Sequence, residues 1–169
     1  DNSLNGQVMQ YSIRGEYEHR PGYGIASEIL KISDKEQVEA FSPDILQSAV
    51  WHKNYRFTYD LIEAGIPFGN EPEDILFGMA NNHDFHLIKK SVEAGVDIDA
   101  NSYGALRRCL FSHREQAGKV LIDCGADFEG MKSHLEGYSL SEKELACMQA
   151  LDEYYQSKQS QDQSPDMQM

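Results

Sequence analysis

The sequence predicts a mainly α-helical fold in which helix–turn–helix units are stacked. The first observation is a heptapeptide that recurs in nearly the same form, as IEAGIPF, VEAGVDI and IDCGADF. The copies begin at Ile62, Val92 and Ile122, so each follows the previous one by 30 residues. The second observation is that pairs of mostly apolar residues keep this phase: Ile45-Leu46, Ile75-Leu76 and Ala105-Leu106, then Ala49-Val50, Met79-Ala80 and Cys109-Leu110.

The middle unit shows why each copy should contain two helices. Asp74 can cap a first helix that runs to about Ala80, because its carboxylate can accept a hydrogen bond from a free first-turn amide. A second helix is predicted to begin at Asp84, since the apolar residues after it fall on one helical face. Gly95 ends this helix, because glycine adopts the left-handed backbone conformation without Cβ strain.

The stretch MANNHDFHLIKKSVEAGVDIDA, residues 79–100, resembles an ankyrin repeat. Met79-Ala80 stands where that family has paired alanines, and Glu93-Ala94-Gly95-Val96-Asp97 stands at the family's stop after the second helix. The family's Thr-Pro-Leu-His opening is replaced by Asp74-Ile75-Leu76-Phe77. The period also differs, since ankyrin repeats have about 33 residues.

The resemblance implies an ankyrin-repeat solenoid of stacked helix–turn–helix units. It covers residues 42–130 and implies three repeats, at about 42–71, 72–101 and 102–130. The missing residues of each repeat fall between the glycine and the next helix. The fingers, such as Asp97-Ile98-Asp99, should therefore be short extended arms.

Residues 1–41 do not fit the repeat and are predicted to form an atypical N-terminal cap. One interpretation is a β-hairpin that turns at Arg20-Pro21-Gly22-Tyr23-Gly24. The other is a degenerate helical cap that begins with a capping box from Ser33 to Glu36. A cap is expected because a terminal repeat exposes apolar surface that an internal repeat shares with its neighbours.

Residues 131–156 are predicted to form a C-terminal capping repeat or helix. Ser141 and Glu144 have the spacing of a capping box. Four apolar residues are then predicted to share one helical face: Leu145, Met148, Leu151 and Tyr155. Residues 157–169 are rich in Ser, Gln and Asp and are predicted to be a disordered tail.

The chain carries a net charge of −13, from 28 acidic and 15 basic residues. Because Lys and Arg make most contacts to phosphate, this balance argues against a nucleic acid or membrane partner. It predicts a partner protein with a basic or neutral surface. No apolar run approaches the ~18 residues of a membrane span. Three cysteines without a CxxC pair favour a reducing, cytoplasmic location.

The sequence offers no catalytic or cofactor motif. GxxxxGK[ST], GxGxxG, GxSxG and HExxH are all absent. His83 and His86 can share a helix face, but no further ligands converge with them in sequence. Cys109 and Cys124 lie in apolar helical patterns and are predicted to be buried structural thiols. We therefore predict no catalytic residue, no metal, no cofactor and no enzymatic activity for this chain itself.

The resemblance implies that the first helices and the finger tips line a concave face, which in this family usually binds another protein. Trp51 and Phe111 are predicted to be exposed anchors, because a few large side chains carry most binding energy. The alternative is that Trp51 packs under the N-terminal cap and Phe111 under the C-terminal segment. Arg107 and Arg108 form a basic pair that suits a partner carboxylate. The remaining candidates follow the paired small residues or lie at the finger tips: His52, Asn81, Asn82, Ser112, Asn70, Glu71, Asn101 and Tyr103.

These residues predict a protein-binding module that is a monomer when free. One alternative is the substrate-recruiting domain of a larger enzyme, in keeping with the absence of an initiator Met. Degenerate ankyrin arrays occur at the ends of bacterial effectors such as the arginine ADP-riboxanases, which present host caspases to a separate catalytic part, and this alternative would place the chain in the host cytosol. Another is an acidic inhibitor or immunity protein that blocks a basic active site. A third is a structural spacer.

Overall fold

The computed structural model describes residues 30, 31 and 42–162, and this part of the chain is mainly helical, as predicted, without a strand. Leu30 and Lys31 are helical. The predictions for the rest of residues 1–41 and for 163–169 lie outside the described residues. Eight helices follow between 42 and 162: α1 (Ser42–Trp51), α2 (Tyr55–Glu63), α3 (Pro72–Asn81), α4 (Phe85–Glu93), α5 (Ala100–Phe111), α6 (Glu115–Asp123), α7 (Phe128–His134) and α8 (Glu142–Asp162).

The helices pack in two layers, which we call inner and outer. In the inner layer α3 packs between α1 and α5, and α7 packs on α5. In the outer layer α4 packs between α2 and α6, and α8 packs on α6. Each inner helix of the first three units also packs on the outer helix that follows it in sequence. Successive helix pairs are therefore neighbours in space, as the 30-residue phase predicts.

The backbone repeats with the same period as the sequence. Between the two helices of each unit one residue has a left-handed conformation, namely Lys53 (φ 55°), His83 (φ 59°) and His113 (φ 56°). After the second helix a glycine has positive φ: Gly65 (71°), Gly95 (94°) and Gly125 (100°). The Gly95 amide donates to the Val92 carbonyl at 2.9 Å, which closes the last turn of α4.

One hydrophobic core runs through all four helix pairs. It extends from Ile45 in α1 to Leu151 in α8, and Leu30 packs against it. The same-phase residues Leu46 and Leu76 are fully buried in the inner layer. Because each pair contributes side chains to the contact with the next, no pair completes its own core.

The finger after α4 differs from the predicted extended arm. Ile98 and Asp99 lie in a turn, and the Asp97 carboxylate before it accepts a hydrogen bond from the Asp99 amide at 2.9 Å. Three left-handed residues follow at the start of α5, with φ of 55° to 63° over 101–103. The short period leaves too few residues for an arm, so the chain turns directly back into the next helix.

The start of α3 also differs from the prediction. The helix begins at Pro72, with Glu71 at the N-cap position and no side-chain cap. Proline favours this first helical position, because its missing N–H would have no partner there. Asp74 is therefore inside the helix, where it is free to pair with Arg108 of α5.

The last helix is longer than predicted. It continues through residues 157–162, which were expected to be disordered. The Asp123 carboxylate of α6 accepts a hydrogen bond from the Tyr154 hydroxyl at 2.7 Å and pairs with Lys158 at 2.8 Å. These contacts hold the end of α8 against the outer layer, although the polar composition of residues 157–162 alone predicts no helix there.

Helix α8 confirms the capping box, and its apolar face is confirmed for Met148, Leu151 and Tyr155 but not for Leu145. The Ser141 amide donates to Glu144 Oε2 at 2.6 Å, and the Glu144 amide donates to Ser141 Oγ at 3.4 Å. Leu151 is fully buried, but Leu145 is 54% exposed. The reason is geometric, because Leu145 lies about 120° around the helix from Leu151. Cys147, one turn before Leu151, takes the buried position.

This difference yields a matched test of the fourth helix pair. We expect Leu151→Ala to lower the free energy of unfolding by about 2–5 kcal/mol, because it leaves a cavity against α6. Leu145→Ala on the same helix should change it by less than about 0.5 kcal/mol. Chemical denaturation of both variants measures this, and equal losses would contradict the packing of α8.

Candidate functional site

The exposed ends of the inner helices form a row, which we call the helix-end row: Trp51, Asn81 and Phe111. Each is the last residue of its helix and lies 30 residues from the next. Because α3 packs between α1 and α5, the three ends are neighbours. Trp51 is 56% exposed and Phe111 is 38% exposed. The chain therefore presents two large aromatic side chains on either side of an exposed amide.

Each residue of the helix-end row is followed by a polar residue, and two of these three make hydrogen bonds within the chain. The Asn82 side-chain amide donates to the Val50 carbonyl at 2.9 Å and so joins the first repeat to the second. His52 Nδ1 donates to the Ser48 carbonyl at 2.8 Å. Both side chains are half-buried, whereas Ser112 is exposed. Ser112 thus extends the accessible row, while His52 and Asn82 support its backbone.

The arginine pair already makes contacts within the chain. Arg108 forms an ion pair with Asp74 of α3, and its guanidinium lies 5.3 Å from the centroid of the Phe77 ring. Arg107 donates to the Ser102 carbonyl at 3.3 Å. A partner carboxylate would have to compete with Asp74 for Arg108. This ion pair could not be predicted from the sequence, because Asp74 and Arg108 belong to different helix pairs.

The predicted finger-tip residues lie at the other end of the inner helices. Asn70 and Glu71 are exposed just before α3, and the Asn101 amide donates to Glu73 Oε2 at 2.6 Å. Along α3 this places them about 14 Å from the helix-end row. The predicted site residues therefore form two groups rather than one.

An aromatic cluster joins the third and fourth helix pairs, and of its members the sequence predicts only Tyr103 as a site residue. The ring of Tyr103 lies 6.1 Å from that of His134, which lies 6.2 Å from that of Tyr138. Tyr138 is 57% exposed. The fourth repeat lacks the heptapeptide that marks the others, so the phase gave no indication of these contacts.

Charge is unevenly distributed between the two ends of the inner helices. The loop edge consists of residues 51–56, 81–86 and 111–116, and it holds three Lys or Arg, four His and two carboxylates. The turn edge consists of residues 63–73, 93–103 and 123–133, and it holds nine carboxylates and one lysine. The net charge of −13 therefore does not describe the surroundings of the helix-end row.

A groove of about 360 Å³ opens on the loop edge between the second and third repeats, and we call it the loop groove. Its lining consists of Asn81, His83, His113, Arg114, Glu115, Gln116 and Ala117. Because Asn81 belongs to both, the groove is continuous with the helix-end row. A second groove, of about 330 Å³, lies on the turn edge and is lined by apolar residues such as Ile66, Phe68 and Val96.

The N-cap residues of the outer helices α2, α4 and α6 differ in whether they cap their helix. Asn54 accepts a hydrogen bond from the Phe57 amide at 3.2 Å, and Asp84 accepts one from the Leu87 amide at 3.4 Å. Arg114 holds the same position before α6 and makes no such bond. An arginine therefore stands at the groove where the other repeats have a capping oxygen.

Cysteine and metal chemistry have little support in the described residues. No group of three or more His, Cys, Asp or Glu side chains there is arranged to hold a metal ion. Burial raises the pKa of the Cys109 thiol to about 12 and that of Cys124 to about 11. Both thiols therefore stay protonated at neutral pH. The described helices also include none that is long and apolar enough to cross a membrane.

No protein-family model matches the chain, and no curated protein or solved structure shows significant similarity to it. Its function must therefore be argued from its own surface.

The exposure of Trp51 has a direct optical test. It is the single tryptophan of the chain, so its fluorescence has one source. We expect red emission close to that of the urea-unfolded protein, and ready quenching by acrylamide. A blue, protected emission in the folded protein would contradict its place in the helix-end row.

The cap of α4 generates a pH-dependent prediction. Burial raises the pKa of Asp84, and its Oδ2 atom is buried without a hydrogen-bond partner. Because the folded-state pKa lies above the unfolded one, the charged carboxylate destabilises the fold above the raised pKa. This penalty disappears below the unfolded value of about 3.9.

We expect Asp84→Asn to be more stable than the wild type at neutral pH, since Asn54 caps α2 with an uncharged amide. The difference should shrink as pH falls toward the unfolded pKa. Asp84→Ala serves as the control and should lose about 1 kcal/mol, because the cap bond is gone. Denaturation across this pH range measures all three proteins, and an unchanging or reversed difference for Asp84→Asn would contradict the account.

Proposed function

We propose that the chain is an ankyrin-type repeat module that binds another protein through the helix-end row. The observation that carries this proposal is the exposure of Trp51 and Phe111 at the same phase of neighbouring inner helices. Exposed aromatic side chains that are held by a packed scaffold are typical anchors of protein interfaces, where a few residues carry most of the energy. The proposal assigns no catalytic role to the chain.

Rigidity supports this assignment. Asn82 ties the first repeat to the second directly beneath the row. Leu110, which precedes Phe111, and Val50, which precedes Trp51, are buried in the core. The anchors therefore lose little backbone freedom on binding, and this lowers the entropic cost of the complex.

The acidic turn edge favours a second candidate function. Its nine carboxylates would suit an inhibitor that covers a basic active site. The apolar groove of about 330 Å³ on this edge offers a place for a side chain of the target. The two candidates differ in which edge contacts the partner, so one experiment distinguishes them.

Site-specific photo-crosslinking tests the choice of surface. We would place a benzoylphenylalanine at Phe111 for the row, at Asn70 for the turn edge and at Tyr59 on the outer helix α2 as the control. Tyr59 is exposed and aromatic, so its replacement is as conservative as that of Phe111.

We expect adducts with cell extract from the Phe111 position that are lost when Trp51→Ala is added. The Tyr59 position should give none of these adducts. Adducts that form only from Asn70 would support the inhibitor, and adducts from Phe111 that survive Trp51→Ala would contradict the row as a single surface.

A further inference from the structure

We infer that the loop edge recognises an acidic segment of the partner, with a carboxylate in the loop groove and apolar neighbours on Trp51 and Phe111. This inference rests on the proposed function and adds the chemistry of the partner. It reverses the expectation from net charge, which favoured a basic or neutral partner.

The first argument is that the lysine and arginine side chains of the loop edge form no ion pair within the described chain. Elsewhere in the described chain, ion pairs are formed by Lys90, Arg108, Lys119, Lys132 and Lys158, whereas Lys89, Arg107 and Lys143 form none. Of these three, Lys89 lies over the Phe85 ring and Arg107 donates to the Ser102 carbonyl. The loop-edge cations Lys53, Arg56 and Arg114 form none with any described residue, and all three are exposed. In a chain with 28 acidic residues, these three cations are therefore available to a carboxylate of a partner.

The second argument is that the carboxylates near the loop groove already have partners within the chain. Glu115 lines the loop groove but pairs with Lys119, so its charge is largely compensated. Asp84 is half-buried, and its carboxylate caps α4 by accepting a hydrogen bond from the Leu87 amide. Glu144 accepts the Ser141 amide, and this hydrogen bond is the main cause of its lowered pKa, with a smaller effect of His113. The groove therefore lacks an internal carboxylate that occupies Arg114.

The third argument is shape. The loop groove, of about 360 Å³, is large enough for an acidic side chain with its flanking backbone. His83, His113 and Arg114 supply nitrogen donors on its walls, and Asn81 supplies an amide at its rim. Arginine suits this role because its guanidinium can make two parallel hydrogen bonds to one carboxylate. Trp51 and Phe111 lie to either side of Asn81 in the helix-end row, so apolar residues next to the carboxylate would contact them.

A peptide titration that follows Trp51 fluorescence tests the inference. The probe is a short peptide of alternating leucine and glutamate, and the comparison peptide has lysine in place of glutamate. We expect a saturable change with the glutamate peptide that weakens as salt is added, since exposed charges are screened. The lysine peptide should bind at least roughly tenfold more weakly.

Variants localise the effect. Arg114→Glu should weaken binding of the glutamate peptide by roughly tenfold or more, while Arg114→Lys should retain most of it. Lys89→Glu makes the same change in net charge on an exposed position of the outer helix α4 and should have little effect. Circular dichroism of each variant checks that it is folded.

Equal binding of the two peptides, or equal effects of Arg114→Glu and Lys89→Glu, would overturn the inference. Tighter binding of a short single-stranded DNA than of the glutamate peptide would also overturn it in favour of a nucleic acid partner. If Phe111 crosslinks still depend on Trp51 while the glutamate peptide does not compete with them, the proposed function stands and only the acidic partner is wrong. If the Phe111 crosslinks do not depend on Trp51 and the glutamate peptide does not compete with them, the proposed function itself is wrong.

Discussion

The close packing of each helix pair against the next is the interaction on which the rest of the structure depends. Helix α3 is buried along its whole middle, from Ile75 to Ala80, because α1 and α5 cover it on both sides. Glycine permits the approach at two of these contacts. A Cβ on Gly78 would lie 2.8 Å from Val50 Cγ1, and one on Gly118 would lie 2.8 Å from Leu151 Cδ2. Larger residues there would push neighbouring pairs apart.

This packing explains why the surface is organised in rows and edges. Since neighbouring helices have the same phase, their last residues align, and so do the left-handed residues Lys53, His83 and His113 that follow. Charges at one phase of the repeat then add up along an edge. The carboxylates gather where the second helices end and the basic side chains where the first helices end, so a chain with a strongly negative net charge retains a surface suited to an anion.

Much of the fold could be predicted because its signals are local. The 30-residue phase marked the successive helix pairs, Asp84 marked the start of α4, and Ser141 with Glu144 marked the start of α8. Other features depend on contacts between distant residues. Asp74 pairs with Arg108 from another repeat, and Asp123 holds Tyr154 and Lys158 of a helix that composition alone predicts to end earlier. The exposure of Trp51 followed from the phase, but the free state of Arg114 did not, because it depends on which carboxylates lie nearby.

Hydrogen exchange of the intact chain tests the stacked arrangement most directly. If the pairs share one core and depend on their neighbours, the amides of α3, covered on both sides, should exchange at least roughly tenfold more slowly than those of α7, which packs on α5 in the inner layer. Protection should also decrease from α5 toward α7 and α8. An α3 that exchanges as fast as α7, or four pairs that exchange independently of their place in the stack, would contradict the shared core and with it the aligned row that we propose as the binding surface.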